Sequence, residues 1–246
     1  MNATNGQVVA GGNGYGSQND QLYYALDVIV DRTSNSLIIC DRGNRRVVRW
    51  PLQNGTTGEI VLSDIGCSHA TMDHEGCLYI STNDRHEVRR YEIGQTNGTI
   101  VAGGNGQGNR LNQLNGPGSI FIDRDCSIYV SDGENNRIVK WIKGAREGII
   151  VAGGQGRGDK LTQLSHPEGL FVDHLENIYV CDSSNRRVMY WFKGSKDGQI
   201  VVGGNGKGNK VNQLDCPHGL AFDRQGNLYV SDYLNHRIQK FDIESS

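Results

Sequence analysis

The sequence predicts an all-β protein, a β-propeller whose blades are four-stranded antiparallel sheets. Three observations carry that expectation. Stretches ending at Trp50, Tyr91, Trp141, Trp191 and Phe241 repeat one phrase at spacings of 41, 50, 50 and 50 residues; this is the period of a small sheet with its connections and too long for a heptad. The 34 glycines against 4 prolines, with 36% hydrophobic residues, fit tight turns between short strands, and no stretch has a long amphipathic helical pattern. Apolar residues often stand at consecutive positions, as in Leu170-Phe171-Val172 and Met189-Tyr190-Trp191, which implies burial on both faces. Sheets stacked face to face in a ring satisfy all three.

The elements follow in chain order. The N-terminal VVAGG matches the fourth strand of a unit, as in VAGGNG at residues 101–106. The first unit carries a hairpin written Asp41, Asn44, Arg46. The second is degenerate: Thr82, Arg85 and Glu87 stand in those places, and its glycine loop has shrunk to Val61-Leu62-Ser63-Asp64. The third restores Asp132, Asn135 and Arg137. The fourth shows the plan best, with strands expected at Leu170–Val172, Ile178–Cys181, Val188–Phe192 and Ile200–Val202. Its short connections pair each strand antiparallel with the one before. The fifth ends after a third strand at Phe241. We therefore expect one domain, residues 1–246, of five blades, with the N-terminal strand at residues 7–10 completing the last.

The wording of the units, above all PHGLAFDRQGNLYVSDYLNHRIQKF at residues 217–241, resembles the NHL repeat. The resemblance implies a propeller, commonly of six blades. It points to the NHL domains of RING and tripartite-motif ubiquitin ligases and, more distantly, to the propeller of the peptidyl-hydroxyglycine amidating lyase. No RING or B-box array of cysteines and histidines accompanies the repeats. In the hairpin, Asp accepts turn N–H groups, Asn tolerates a left-handed backbone and Arg pairs with a carboxylate, a structural role.

Function must sit where the units differ. The formal charge of −2 gives no bulk attraction for nucleic acid. One loop face nevertheless gathers Arg45, Arg46, Arg110, Arg157, Lys160, Arg186, Arg187, Lys207, Lys210 and His236. The expected function is a non-catalytic scaffold presenting that face to a protein partner, with RNA as the second ligand class. The alternative is a metal-dependent propeller enzyme, lyase or hydrolase, at the channel mouth. There His69, His166 and His218 are candidate ligands for Zn or Ca, although alignment of the units puts them at different depths. The default expectation is no cofactor.

The glycine-rich connections lead into strands rather than helices, so they are turns and not phosphate loops. Cys40 and Cys181 occupy positions where other units have Ser131 and Ser231, which reads as packing rather than redox chemistry. Neither a signal peptide nor a membrane span is visible, and the default location is cytoplasmic.

Overall fold

The computed structural model describes residues 7–53, 55–92 and 94–243. Blade 1 comprises β1 (Ala25–Asp31), β2 (Ser36–Asp41), β3 (Arg46–Pro51) and β4 (Glu59–Ser63). Blade 2 follows as β5 (Cys67–Met72), β6 (Leu78–Thr82), β7 (Glu87–Tyr91) and β8 (Thr99–Gly103). Blade 3 is β9 (Pro117–Ile122), β10 (Ile128–Asp132), β11 (Arg137–Trp141) and β12 (Ile149–Gly153). Blade 4 is β13 (Pro167–Val172), β14 (Ile178–Asp182), β15 (Arg187–Trp191) and β16 (Gln199–Gly203). Blade 5 has three strands, β17 (Pro217–Phe222), β18 (Leu228–Asp232) and β19 (Arg237–Phe241). Within each blade the strands pair in sequence order, as short hairpin connections require.

Four apolar cores lie between successive blades. Val47 of blade 1 meets Ala70 and Ile80 of blade 2, and Val188 of blade 4 meets Leu228 and Val230 of blade 5. The recurring aromatic is part of this packing in Trp141 and Trp191, while Trp50 is equally buried in a separate blade 1 cluster. Gly198 lies so close that a Cβ there would come within 2.6 Å of the Trp191 ring, which explains a glycine just before the outer strand.

One expectation needs correction. Residues 7–10 form no strand, and β19 pairs only with β18 among the described residues. The N-terminal segment therefore does not complete blade 5. Ala10 packs instead against the blade 1 cluster of Leu37, Ile39, Val48 and Trp50.

The hairpin residues build a staple. Asp132 accepts the Asn115 N–H at 2.7 Å, Asn135 Nδ2 at 2.8 Å and Arg137 Nε at 2.7 Å. Arg137 then donates to the carbonyls of Asn109, Arg110 and Gln113, fixing the glycine-rich connection to the hairpin it crosses. Arg46, Arg187 and Arg237 repeat the arrangement. The left-handed residue is not this Asn but its successor: Arg45, Asn136, Arg186 and His236 have φ of 51° to 55°.

Candidate active site in the central channel

The innermost strands β1, β5, β9, β13 and β17 line a cavity of about 760 Å³. A left-handed step at Tyr24, Gly116, His166 and Cys216 (φ 53° to 65°) precedes four of these strands. The shared register then sorts the channel residues into layers. Tyr24, Gly116, His166 and Cys216 form the rim; Leu26, Ser68, Gly118, Glu168 and His218 lie beneath; Asp27, His69, Ser119, Gly169 and Gly219 lie deeper.

In the deepest of these layers three neighbouring blades contribute Asp27, His69 and Ser119. Asp27 Oδ2 is held by the Ala70 N–H at 2.8 Å and stands 3.5 Å from His69 Nδ1. On the far side of the ring, His69 Nε2 is 3.4 Å from Ser119 Oγ. The Ile120 N–H donates to the same Nδ1 at 3.5 Å, so a proton on Nδ1 directed at Asp27 requires that bond to give way. Protein surrounds His69 although part of its ring faces channel water. Burial pushes its pKa down, opposed by Asp27 and assisted by His218, so the imidazole is neutral near pH 7.

One layer up, Glu168 stands between two imidazoles, 3.1 Å from His166 Nε2 and 3.8 Å from His218 Nε2. The Glu168 hydrogen bond raises the His166 pKa against partial burial. Arg42 reaches in from the blade 1 hairpin and donates to Ser68 Oγ at 2.6 Å.

All three histidines proposed from sequence thus line one cavity, but they do not form a ligand set. Among the described residues, the one group of three donors within 4.8 Å of one another is Asp73, Glu75 and Cys77. That group already holds a cation: Arg90 Nη2 lies 2.9 Å from Cys77 Sγ and 3.7 Å from Glu75. Asp73 Oδ1 also binds the turn N–H groups of Glu75 and Cys77, as Asp123 and Asp173 do in their blades. His69, His166 and His218 are not brought within 4.8 Å of one another.

The expected binding face is also revised. Arg46 and Arg187 are buried in their staples and present no surface. Arg45 pairs with Asp64 and Asp84, while Arg186 and Lys207 both pair with Asp215. Arg157 donates to Ser165. Arg110, Lys160, Lys210 and His236 are exposed without an ion pair among the described residues. Local carboxylates offset much of the basic face.

Sequence reasoning did not assemble the Asp27, His69 and Ser119 set. The signal was present in the units read as columns: one register position holds Asp, His and Ser in blades 1 to 3 and Gly in blades 4 and 5. It also missed the disulfide between Cys40 and Cys67, which joins blades 1 and 2 and corrects the packing role expected for Cys40. Cys181 is buried and free. Disulfides persist mainly in oxidising compartments.

Residues 214–241 match the NHL repeat. The chain is a β-propeller with one matched NHL repeat, in its last blade. No curated protein matches the sequence. Among solved structures the chain is similar to a gluconolactonase from Xanthomonas campestris, with 16% identity, TM-score 0.67, and coverage of 93% of this chain and 78% of that one. It is similar to a streptogramin B lyase at 10% identity and TM-score 0.61, covering 90% and 69%. An auxiliary nutrient binding protein from Bacteroides thetaiotaomicron is 17% identical with TM-score 0.70, and the two chains are covered to 88% and 58%. The chain thus spans little more than half of that last protein. Such identities establish the fold alone. The findings do overturn the expectation of a non-catalytic scaffold tied to ubiquitin ligases: two of these neighbours are enzymes, and the match reaches the repeat, not the ligases. No helix in the described residues is long and apolar enough to cross a membrane.

Proposed function

We propose that the protein is a hydrolase of carboxylic esters acting inside its central channel. The observation that carries this reading is the Asp27, His69 and Ser119 chain, with the carboxylate on Nδ1 and the hydroxyl on Nε2. Those are the roles of orienter, base and nucleophile. The contacts of 3.5 and 3.4 Å are looser than working hydrogen bonds, as is common before substrate expels water.

In the proposed reaction Ser119 Oγ bonds to the ester carbonyl carbon while His69 Nε2 takes its proton. The C–O bond to the alcohol then breaks, and the proton passes from His69 to the leaving oxygen. Water, deprotonated by the same nitrogen, attacks the acyl-serine; the acid departs and Ser119 regains its proton. Asp27 stays ionised and stabilises the imidazolium between transfers. The likeness to a gluconolactonase supports the fold's capacity for such chemistry. Leu26, Ile29, Phe121, Leu170 and Leu220 in the cavity wall suit an apolar acyl portion.

The test is a fluorophosphonate, which phosphonylates activated serines. A mass shift mapping to Ser119 in the wild type, abolished in His69→Gln, supports the assignment together with turnover of p-nitrophenyl esters. If Ser119→Ala hydrolyses those esters as fast as the wild type, the reading fails.

A further inference from the structure

We infer that the channel selects esters carrying a carboxylate of their own, monoesters of short dicarboxylic acids, and that Arg42 and Ser68 receive that carboxylate; the inference rests on the ester-hydrolase reading above. Arg42 is the one arginine or lysine among the residues that line the cavity. It opens the hairpin turn of blade 1, Arg42–Asn44, directly after the staple residue Asp41. The other blades have Asn83, Gly133, Ser183 and Tyr233 at that position. The cation is thus a single departure from the repeat that faces the channel, as Asp27, His69 and Ser119 are.

Arg42 differs from its neighbours in lacking a counter-charge. Arg46, Arg137, Arg187 and Arg237 each hold an aspartate in a staple, and Arg45 pairs with Asp64 and Asp84. Arg42 is half-buried and has no ion pair among the described residues; its Nη1 donates to Ser68 Oγ at 2.6 Å. The carboxylates in the cavity are engaged elsewhere. Asp27 accepts the Ala70 N–H and faces His69, Glu134 lies 3.7 Å from His166, and Glu168 lies between His166 and His218. A guanidinium drawn partly out of water against one neutral hydroxyl gives up hydration without gaining an opposite charge. Its planar fork matches the two oxygens of a carboxylate.

Ser68 supplies a second donor. Its oxygen accepts from Arg42, and among the described residues its own O–H has no acceptor. The register of β5 slips between Cys67 and His69, an irregularity that re-aims side chains, and both Ser68 and His69 line the cavity. An anion held by Arg42 and Ser68 therefore sits one layer above the His69 base, on a residue whose Cα is about 3.8 Å from that of His69. Leu26 and Ile29 of β1 stand in the same wall and suit the methylenes of a short acyl chain. Glu134 and Glu168 on blades 3 and 4 disfavour the same anion, so the chain has one orientation, with its carboxylate toward blades 1 and 2 and its ester carbonyl at Ser119.

The test compares two esters with equally long acyl chains, p-nitrophenyl hydrogen glutarate, which carries a free carboxylate, and p-nitrophenyl pentanoate, which does not. With spontaneous hydrolysis subtracted, the wild type is expected to favour the glutarate ester by about 10- to 100-fold in kcat/KM, the worth of a charge-assisted hydrogen bond, and Arg42→Gln should erase the preference. Equal rates on the two esters in the wild type, or a preference that survives Arg42→Gln, overturn the inference. If that turnover still needs Ser119, the hydrolase reading stands without it. Should neither ester be turned over, the hydrolase reading fails, and calorimetry of the wild-type protein with glutarate and its neutral counterpart glutaramide decides the anion site. Binding of glutarate but not glutaramide, weakened about tenfold or more by Arg42→Gln, supports the site. No binding of glutarate, or equal affinity for both compounds, overturns it, and this comparison needs no variant should Arg42→Gln fail to fold.

Discussion

Arg187→Ala and Arg237→Ala remove the same guanidinium from the same staple in two blades, and we expect unequal costs. Arg187 donates to Asp182 at 2.7 Å and to the carbonyls of Asp159, Lys160 and Gln163. Arg237 makes the corresponding bonds to Asp232, Asn209, Lys210 and Gln213. The difference is cover: the Arg187 side chain is 5% exposed and that of Arg237 is 28% exposed. Truncating Arg187 leaves a buried carboxylate whose remaining donors are the Ser165 N–H and Asn185, a loss of about 3–5 kcal/mol. Water can enter the Arg237 site and replace its bonds, so the loss there is about 1–2 kcal/mol.

The pH dependence provides an internal check. Burial already holds the Asp182 carboxyl above the ordinary range against its hydrogen bonds and Arg187. Without Arg187 it rises further, so the folded variant retains a proton that the unfolded chain has released. The Asp182 contribution to the stability of Arg187→Ala, read as the difference from wild type, should therefore be most favourable below about pH 3.9, the unfolded value, and fall as pH rises through the folded pKa. Urea unfolding followed by fluorescence of the buried Trp141 and Trp191 measures both effects. If the two variants lie within about 0.5 kcal/mol of each other, or if Arg187→Ala gains stability relative to the wild type as pH rises, the account of the staple is wrong.

Three further outcomes are expected. Because burial lowers the His69 pKa, the acid limb of kcat/KM for ester hydrolysis should lie below about pH 6.5, the ordinary value for histidine; a limb above it would contradict His69 as the base. Reducing the Cys40 to Cys67 disulfide, which spans 27 residues, should cost about 3.5 kcal/mol by chain entropy, read from unfolding with and without reductant. Lys140 and Lys193 hold the Glu176 carboxyl at about 2, so the stability from this pair is present above the unfolded value and lost as pH falls toward 2. Glu176→Gln should flatten that acid decline and, at this partly exposed site, cost less than about 1 kcal/mol at pH 7.

Much of the fold is legible because repetition makes local rules visible. The aromatic at the end of the third strand recurs since blades 2 to 5 present it to an inter-blade core, and the Asp, Asn and Arg of the hairpin recur since the connections at blades 1, 3, 4 and 5 share one staple. The channel chemistry was harder to read for the opposite reason. Asp27, His69 and Ser119 come from separate units and are single departures from the repeat, so no local motif announces them. The basic loop face misled because residue type does not record burial: Arg186 and Arg187 are adjacent, yet one reaches solvent and the other is enclosed.

The sequence by itself determined the strand plan, the blade type and the register, because side-chain alternation and turn residues act over a few positions. The tertiary structure alone decided which columns of the repeat meet. Closing sheets around an axis brought a carboxylate, an imidazole and a hydroxyl from three blades within about 3.5 Å steps. It also showed that residues 7–10 lie apart from β19, because pairing depends on the angle through which successive blades turn, a sum of packing over the whole ring that no single repeat encodes.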